Sequence, residues 1–206
     1  MIYVARHGET DWNRAGRYQG QRESQLTGTG VAQARALADA LAQCGITRVT
    51  SSPLARCVDT ARPLAQRLGV PLEIDADLIE IAHGTWEGRL RASIEREDPQ
   101  AMRTWREHPE QVQFEAGESL AQVDARWRAF MRRNQDGDGI AIVTHDVIVR
   151  LAILAATGLP LAQLWEPRVV NGGYAVLRGG NPWELVEGCV VDHLDGLRVD
   201  TASQAL

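Results

Sequence analysis

The chain has 206 residues, 44% of them hydrophobic, and a formal net charge of -5. That length suits one domain with a substantial core, and the acidic balance argues against a general binder of nucleic acid or anionic membrane, which needs a basic surface. All 22 basic residues are arginine, so Schiff-base chemistry and a P-loop lysine are both excluded. No apolar run approaches the roughly 20 residues needed to span a bilayer. Cys44, Cys57 and Cys189 are scattered outside any C-x-x-C spacing and suit small core positions in a reducing compartment. Met1 to Arg6 lacks a basic leader followed by a long apolar stretch, so a cytoplasmic location is expected.

The predicted elements begin with Ile2 to Ala5, a short apolar run ending in a polar loop, as a buried strand does. Thr27 to Cys44 reads as a helix: Thr27 caps it, Val31, Ala34, Leu37, Ala38 and Leu41 recur at helical spacing, and Gly45 stops it. Ile46 to Thr50 is a second strand. Ser52-Pro53 predicts another helix with proline at its first position and Gly69 at its end. Leu72 to Ile74 is a third strand. Leu90 to Asn134 is mostly helical, with breaks near Pro99, Pro109 and Gly117. Gly139 to Thr144 is a strongly apolar fourth strand and leads into a helix through Ala156. A short helical piece after Pro160 precedes two late strands, Gly173–Leu177 and Trp183–Val191, with antiparallel character. The alternation predicts one α/β domain, a three-layer sandwich with helices on both faces of a mostly parallel sheet.

Reactive groups in such sheets gather at the carboxyl ends of strands. The first strand ends in Arg6-His7-Gly8-Glu9-Thr10, the second leads to Arg56, the third is followed by Glu80, and the fourth ends in Thr144-His145-Asp146. Two arginines, two histidines and a carboxylate suit a phosphoryl group, which needs cationic donors, an in-line nucleophile and a proton source. Arg6 and Arg56 offer planar forks to phosphate oxygens. One imidazole can attack phosphorus, the second can donate to the transferring group, and Glu80 can protonate the leaving oxygen and then activate water. Gly8 is expected to let the backbone approach the phosphate. No metal or other cofactor is required, because the guanidinium groups and an imidazolium supply the charge.

Arg6-His7-Gly8-Glu9-Thr10 with Trp12-Asn13, Gly16 to Gly20, Leu26-Thr27 and Gly30 resembles the opening of the histidine phosphatase superfamily, which includes the cofactor-dependent phosphoglycerate mutases. Ser51 to Arg56 with Thr60-Ala61, Glu80 with Gly84 to Gly88, and Val143-Thr144-His145 resemble its later signatures in the expected order, over about residues 2 to 150. The resemblance implies a phosphoglycerate mutase-like fold, His7 as nucleophile, Arg6, Arg56 and His145 as phosphate pocket, and Glu80 as proton donor. It also puts Asn13, Gln19 and Gly20 at the pocket lining, and makes residues 89–135 a helical cap-like insertion in a single domain over 1–206. His83, Trp105, Phe114 to Leu120 and Trp165 look like the metal-independent phosphoserine phosphatases of bacteria, which makes His83 a candidate substrate contact. Ribazole-phosphate phosphatases share much of the same framework.

Many members carry glycine after the second histidine. Here Asp146 stands, and it is expected to turn away from the phosphate or to meet a cationic part of the substrate. The arginines between Arg89 and Pro109 are interspersed with acidic residues, as on a solvated helix face, which favours a hydrolase over a mutase. The expected partner is therefore a small phosphorylated metabolite, with no nucleic acid or membrane, for a monomer or homodimer. The alternatives are a phosphoglycerate mutase, a phosphoprotein phosphatase and a non-catalytic binding module. Two weaker signals are set aside. Gly28-Thr29-Gly30 lacks the final glycine of a dinucleotide fingerprint, and Asn134 to Gly139 imitates an EF-hand loop without its closing glutamate.

Overall fold

Two fully buried strands, β1 (Ile2–Arg6) and β4 (Ile140–Thr144), lie side by side and parallel in the middle of a six-stranded sheet. The computed structural model describes residues 1–180, 183–201, 204 and 205. Between these strands the chain forms α1 (Asp11–Arg14), α2 (Gly28–Leu41), β2 (Arg48–Ser51), α3 (Ala55–Leu68), β3 (Leu72–Ile74), α4 (Arg91–Glu97), α5 (Pro99–Glu107) and α6 (Leu120–Arg133). After β4 come α7 (Asp146–Thr157), β5 (Tyr174–Arg178) and β6 (Glu184–Val190). The strand order is β3-β2-β4-β1-β5-β6, with the first four parallel and β5 antiparallel to both of its neighbours, β1 and β6.

Period-2 alternation explains the layers. Ile2, Val4, Ile140 and Ile142 face one core with Trp105, Trp127, Phe130 and Leu151. Tyr3, Ala5, Ala141 and Val143 face the other with Leu37, Leu41 and Leu64 of α2 and α3. Because both faces are covered, the central strands are apolar on both sides. Among the described residues no helix is long and apolar enough to cross a membrane.

Three boundaries differ from the sequence expectation. α3 begins at Ala55 and not at Pro53: Leu54 is extended, and a Glu23 carboxylate oxygen 3.1 Å away accepts from the Ala55 N–H. α1 is absent from the expected elements. Its capping box, Thr10 with Asn13, closes a single turn too short to show periodicity. β2 runs Arg48–Ser51 because its pairing with β4 starts at Arg48 opposite Ile140.

Candidate active site

The register of the central strands brings the two histidines together. Arg6 pairs with Thr144, so His7 and His145 leave neighbouring strands at the same level. Their ring centroids are 5.3 Å apart at an interplanar angle of 66°. Nδ1 of His7 lies 2.7 Å from the Gly8 carbonyl. That oxygen only accepts, so Nδ1 carries the hydrogen and Nε2 keeps its lone pair. β2 is next to β4, with Ser51 opposite Val143, which sets Ser52 against His145: its hydroxyl is 2.7 Å from His145 Nε2. Burial first, and then the Arg56 charge, hold both imidazoles well below the usual histidine range, so both are neutral at pH 7.

Both arginines are buried and held by fixed acceptors. Arg56 donates from Nη1 to the Arg22 carbonyl at 2.8 Å and from Nη2 to the Gly20 carbonyl at 2.7 Å. Arg6 donates from Nη2 to Gln204 Oε1 at 2.7 Å, and its Nη1 lies 3.1 Å from Asp146 Oδ2. Nε of each finds no hydrogen-bond partner among the described residues. Gly20 has a left-handed φ of +52°, and a Cβ there would fall 2.1 Å from a Glu87 oxygen, so a side chain at this turn would be strained and would displace Glu87.

Glu80 is buried, and one carboxylate oxygen accepts from the Ile81 N–H at 3.0 Å. Burial raises its pKa most and the Asp146 charge adds to that, bringing it to about 7. His83 sits in an aromatic box, with ring centroids 4.9 Å from both Tyr18 and Phe114 and 5.9 Å from Trp105. Neither of its ring nitrogens has a hydrogen-bond partner among the described residues, and burial lowers its pKa to about 3.

Of the residues singled out in the sequence, Arg6, His7, Gln19, Gly20, Arg56, Glu80 and His83 line one small pocket. Asn13 and His145 stand behind that wall. Asn13 Nδ2 donates to Gln204 Oε1 at 3.2 Å, and His145 abuts His7 and Ser52. Gly8 is also required by packing: a Cβ there would meet the Gly30 carbonyl oxygen at 2.5 Å, so the glycine lets the loop lie against the start of α2. One expectation needs correction: Asp146 does not turn away, since it lines the pocket and pairs with Arg6. Ser52, Asn171 and Gln204 belong to the site although sequence reasoning misses them. Asn171 donates from Nδ2 to the His7 carbonyl at 3.2 Å, and Gln204 donates from Nε2 to Asn171 Oδ1 at 2.8 Å. Ser52 lies within a recognised motif, but the other two lie over 150 residues from the first-strand loop they support, and no local pattern marks them.

A doubly wound α/β fold that gathers two histidines, two arginines and a carboxylate at one sheet edge defines an enzyme class that handles phosphoryl groups. The model of the histidine phosphatase superfamily (branch 1) matches residues 2–187. Phosphoserine phosphatase 1 of Hydrogenobacter thermophilus is 34% identical over 179 residues, covering 85% of each chain. A Serratia proteamaculans protein named "Probable phosphoglycerate mutase GpmB" is 32% identical over 210 residues, covering 97% of each. The solved structure of Bacillus stearothermophilus YhfR superposes with a TM-score of 0.87 at 28% identity, covering 94% of this chain and 98% of that one. The chain belongs to the histidine phosphatase superfamily and is a phosphatase of that family.

Proposed function

We propose that this phosphatase hydrolyses small phosphorylated metabolites in two steps through a phosphohistidine on His7. The observation that carries the reading is the His7 ring. Its Nδ1 is tied to the Gly8 carbonyl, its Nε2 keeps a lone pair, and it shares a pocket with Arg6, Arg56 and Glu80. In the first step Nε2 attacks phosphorus. The N–P bond forms as the ester P–O bond breaks, the electron pair leaves on oxygen, and Glu80 gives that oxygen its proton. Arg6 and Arg56 stabilise the phosphoryl oxygens, and His145 backs the His7 ring from behind the pocket wall. In the second step ionised Glu80 takes a proton from water, whose oxygen attacks phosphorus. The P–N bond then breaks, returning the lone pair to Nε2 and releasing phosphate. Residues 89–135 serve as the cap of a single domain over 1–206, with Trp105 and Phe114 packed on His83.

A phosphoserine-like substrate is favoured. Support comes from the likeness to a phosphoserine phosphatase, from the tightness of the pocket and from the two ring nitrogens of His83 that lack a partner on its wall among the described residues. A buried imidazole of this kind is suited to a polar group beyond the ester oxygen. A phosphoprotein would need a more open mouth. The test is phosphate release across phosphoserine, phosphoglycerates, sugar phosphates and ribazole phosphate. It is joined by recovery of a base-stable, acid-labile phosphoenzyme that His7→Ala fails to form. Turnover by His7→Ala would refute the proposal. The mutase reading keeps one specific support, the GpmB-named relative. Conversion of 3-phosphoglycerate to 2-phosphoglycerate without free phosphate would establish it.

A further inference from the structure

Asp146 stands where a carboxylate is least welcome to a phosphate dianion, fully buried on the pocket wall at the first residue of α7. Two guanidinium groups hold it there. Oδ2 is 3.1 Å from Nη1 of Arg6, and Oδ1 accepts from Nε of Arg150, one helical turn further on. Arg150 lies outside the pocket and is itself fixed. Its Nη1 donates to the Pro167 carbonyl at 2.5 Å, and its guanidinium sits 5.0 Å from the centroid of the Trp165 ring. Trp165 in turn donates from Nε1 to the Trp105 carbonyl at 3.0 Å, and Trp105 packs edgewise on His83. A continuous set of contacts thus joins the phosphate arginine to the aromatic box on the other wall.

We propose that Asp146 is a positioning residue for phosphoryl transfer, which fixes one arm of the Arg6 guanidinium and places a negative charge on the pocket wall it shares with Glu80. The inference rests on the phosphatase reading with Glu80 as proton donor. Two consequences follow from the geometry. With Nη1 ion-paired to Asp146 and Nη2 donating to Gln204, the guanidinium cannot rotate freely, and Nε and Nη1, which have no hydrogen-bond partner among the described residues, are the donors left for phosphoryl oxygens. Asp146 also offsets one positive charge, which limits how tightly the product phosphate is held.

A further consequence concerns the proton of Glu80. The charged groups acting on it are Arg6 from β1, Arg56 from α3, Arg126 from α6 and Asp146 from α7, with His7 and His145 neutral beside them. Among these, Asp146 is the one that favours the protonated carboxyl, and it works with burial against the arginines. A glycine at this position would leave Arg6 without its carboxylate and remove that support.

The test is Asp146→Asn in the full chain. The readouts are kcat against pH on the alkyl phosphate that the wild type turns over fastest, and inhibition by inorganic phosphate. The expected result is an alkaline limb that moves down by roughly one pH unit, together with several-fold tighter inhibition by phosphate. A variant that only lowers Tm, with the limb and the inhibition constant unmoved, overturns the proposal. Should Asp146→Asn fail to fold, Asp146→Gly is measured in the same way: the same two shifts support the proposal, and their absence overturns it. Arg150→Met keeps both carboxylates but removes the clamp. It should cut kcat about tenfold while leaving the alkaline limb in place, and a wild-type kcat in it would also overturn the proposal. A wild type that releases phosphate from no ester removes the phosphatase reading instead.

Discussion

In the proposed cycle Glu80 has two jobs, and its proton affinity in the pocket suits both of them. Its carboxyl titrates at about 7, raised first by burial and then by Asp146, and opposed by the Ile81 N–H and by Arg56 and Arg126. It is the protonated form that delivers a proton to a departing alkoxide. That form falls to about one part in ten at pH 8 and declines tenfold for each further unit. Since kcat/KM reports on leaving-group departure, it should fall above pH 7 for an alkyl phosphate and much less for 4-nitrophenyl phosphate, whose leaving group needs no proton. Glu80→Gln should lower kcat/KM for the alkyl ester by roughly 10²–10⁴, the usual worth of a positioned acid. For the nitrophenyl ester the loss should stay below about tenfold. With that ester, water activation fails next, so nitrophenol should appear in a burst matching the enzyme concentration. Stopped-flow release of nitrophenol and a phosphate assay for the alkyl ester measure both arms. Equal slowing of the two esters, or an alkaline limb that survives in Glu80→Gln, would refute the assignment.

His83→Phe keeps the aromatic box filled. It should therefore leave kcat for 4-nitrophenyl phosphate unchanged within about threefold and raise KM for the preferred alkyl substrate roughly tenfold, the worth of one lost polar contact. Equal effects on both would show that the imidazole only packs. Stability should fall as the medium is acidified below about pH 6.5. His7, His83 and His145 are kept neutral by burial in the folded chain but titrate at their ordinary value when unfolded, so unfolding takes up protons. Glu80 acts in the opposite sense between about 4.5 and 7 because its folded value is raised. Near pH 5 about two protons net should be absorbed, or roughly 3 kcal/mol per pH unit. Urea midpoints from pH 7 to pH 5 test this, and a flat profile would contradict the buried-neutral state. Chelators should leave the rate unchanged, because Arg6 and Arg56 bring the positive charge to the pocket. Loss of activity restored by magnesium would point to different chemistry.

The features legible in the sequence are those with a period or a spacing. β1 and β4 announce themselves as apolar runs, and α2 through its cap and stripe. From strand ends alone, His7, His145, Arg56 and Glu80 can be referred to one rim, because a parallel sheet delivers every strand's carboxyl end to the same side. What is not legible depends on long-range contact. Nothing local marks Ser52 as a partner of His145, and Ser52-Pro53 suggests a helix start that the structure places at Ala55. Gly8 suggests phosphate approach, but nothing local shows that packing against Gly30 requires it as well. Asp146 reads as a source of repulsion for phosphate, although Arg150, four residues on, is already in view as a counter-charge. A carboxylate and an arginine at i and i+4 ordinarily make a solvated surface pair. Here the helix is buried on all sides near its start, and the carboxylate of the pair lines the site.

The fixed donors also explain how a site can be strongly cationic without metal or lysine. A guanidinium in open solvent would have to be desolvated and oriented as the phosphoryl group arrives. Here Arg56 spends both terminal nitrogens on the carbonyls of Arg22 and Gly20, and Arg6 spends its own on Asp146 and Gln204. Each is therefore immobilised by the fold, with its buried Nε–H, and in Arg6 also Nη1, left without a hydrogen-bond partner among the described residues. Leaving such a donor unsatisfied costs about 1–3 kcal/mol, and folding supplies this in advance through the packing of the two cores. An equatorial oxygen that meets these donors recovers that cost where charge builds up, with little reorganisation left for the reaction step. The neutral imidazoles belong to the same design. Burial and the nearby arginines keep His7 from taking up a proton, so its lone pair is present at neutral pH, and the charge that suppresses protonation is the charge that holds the phosphoryl group in the proposed cycle.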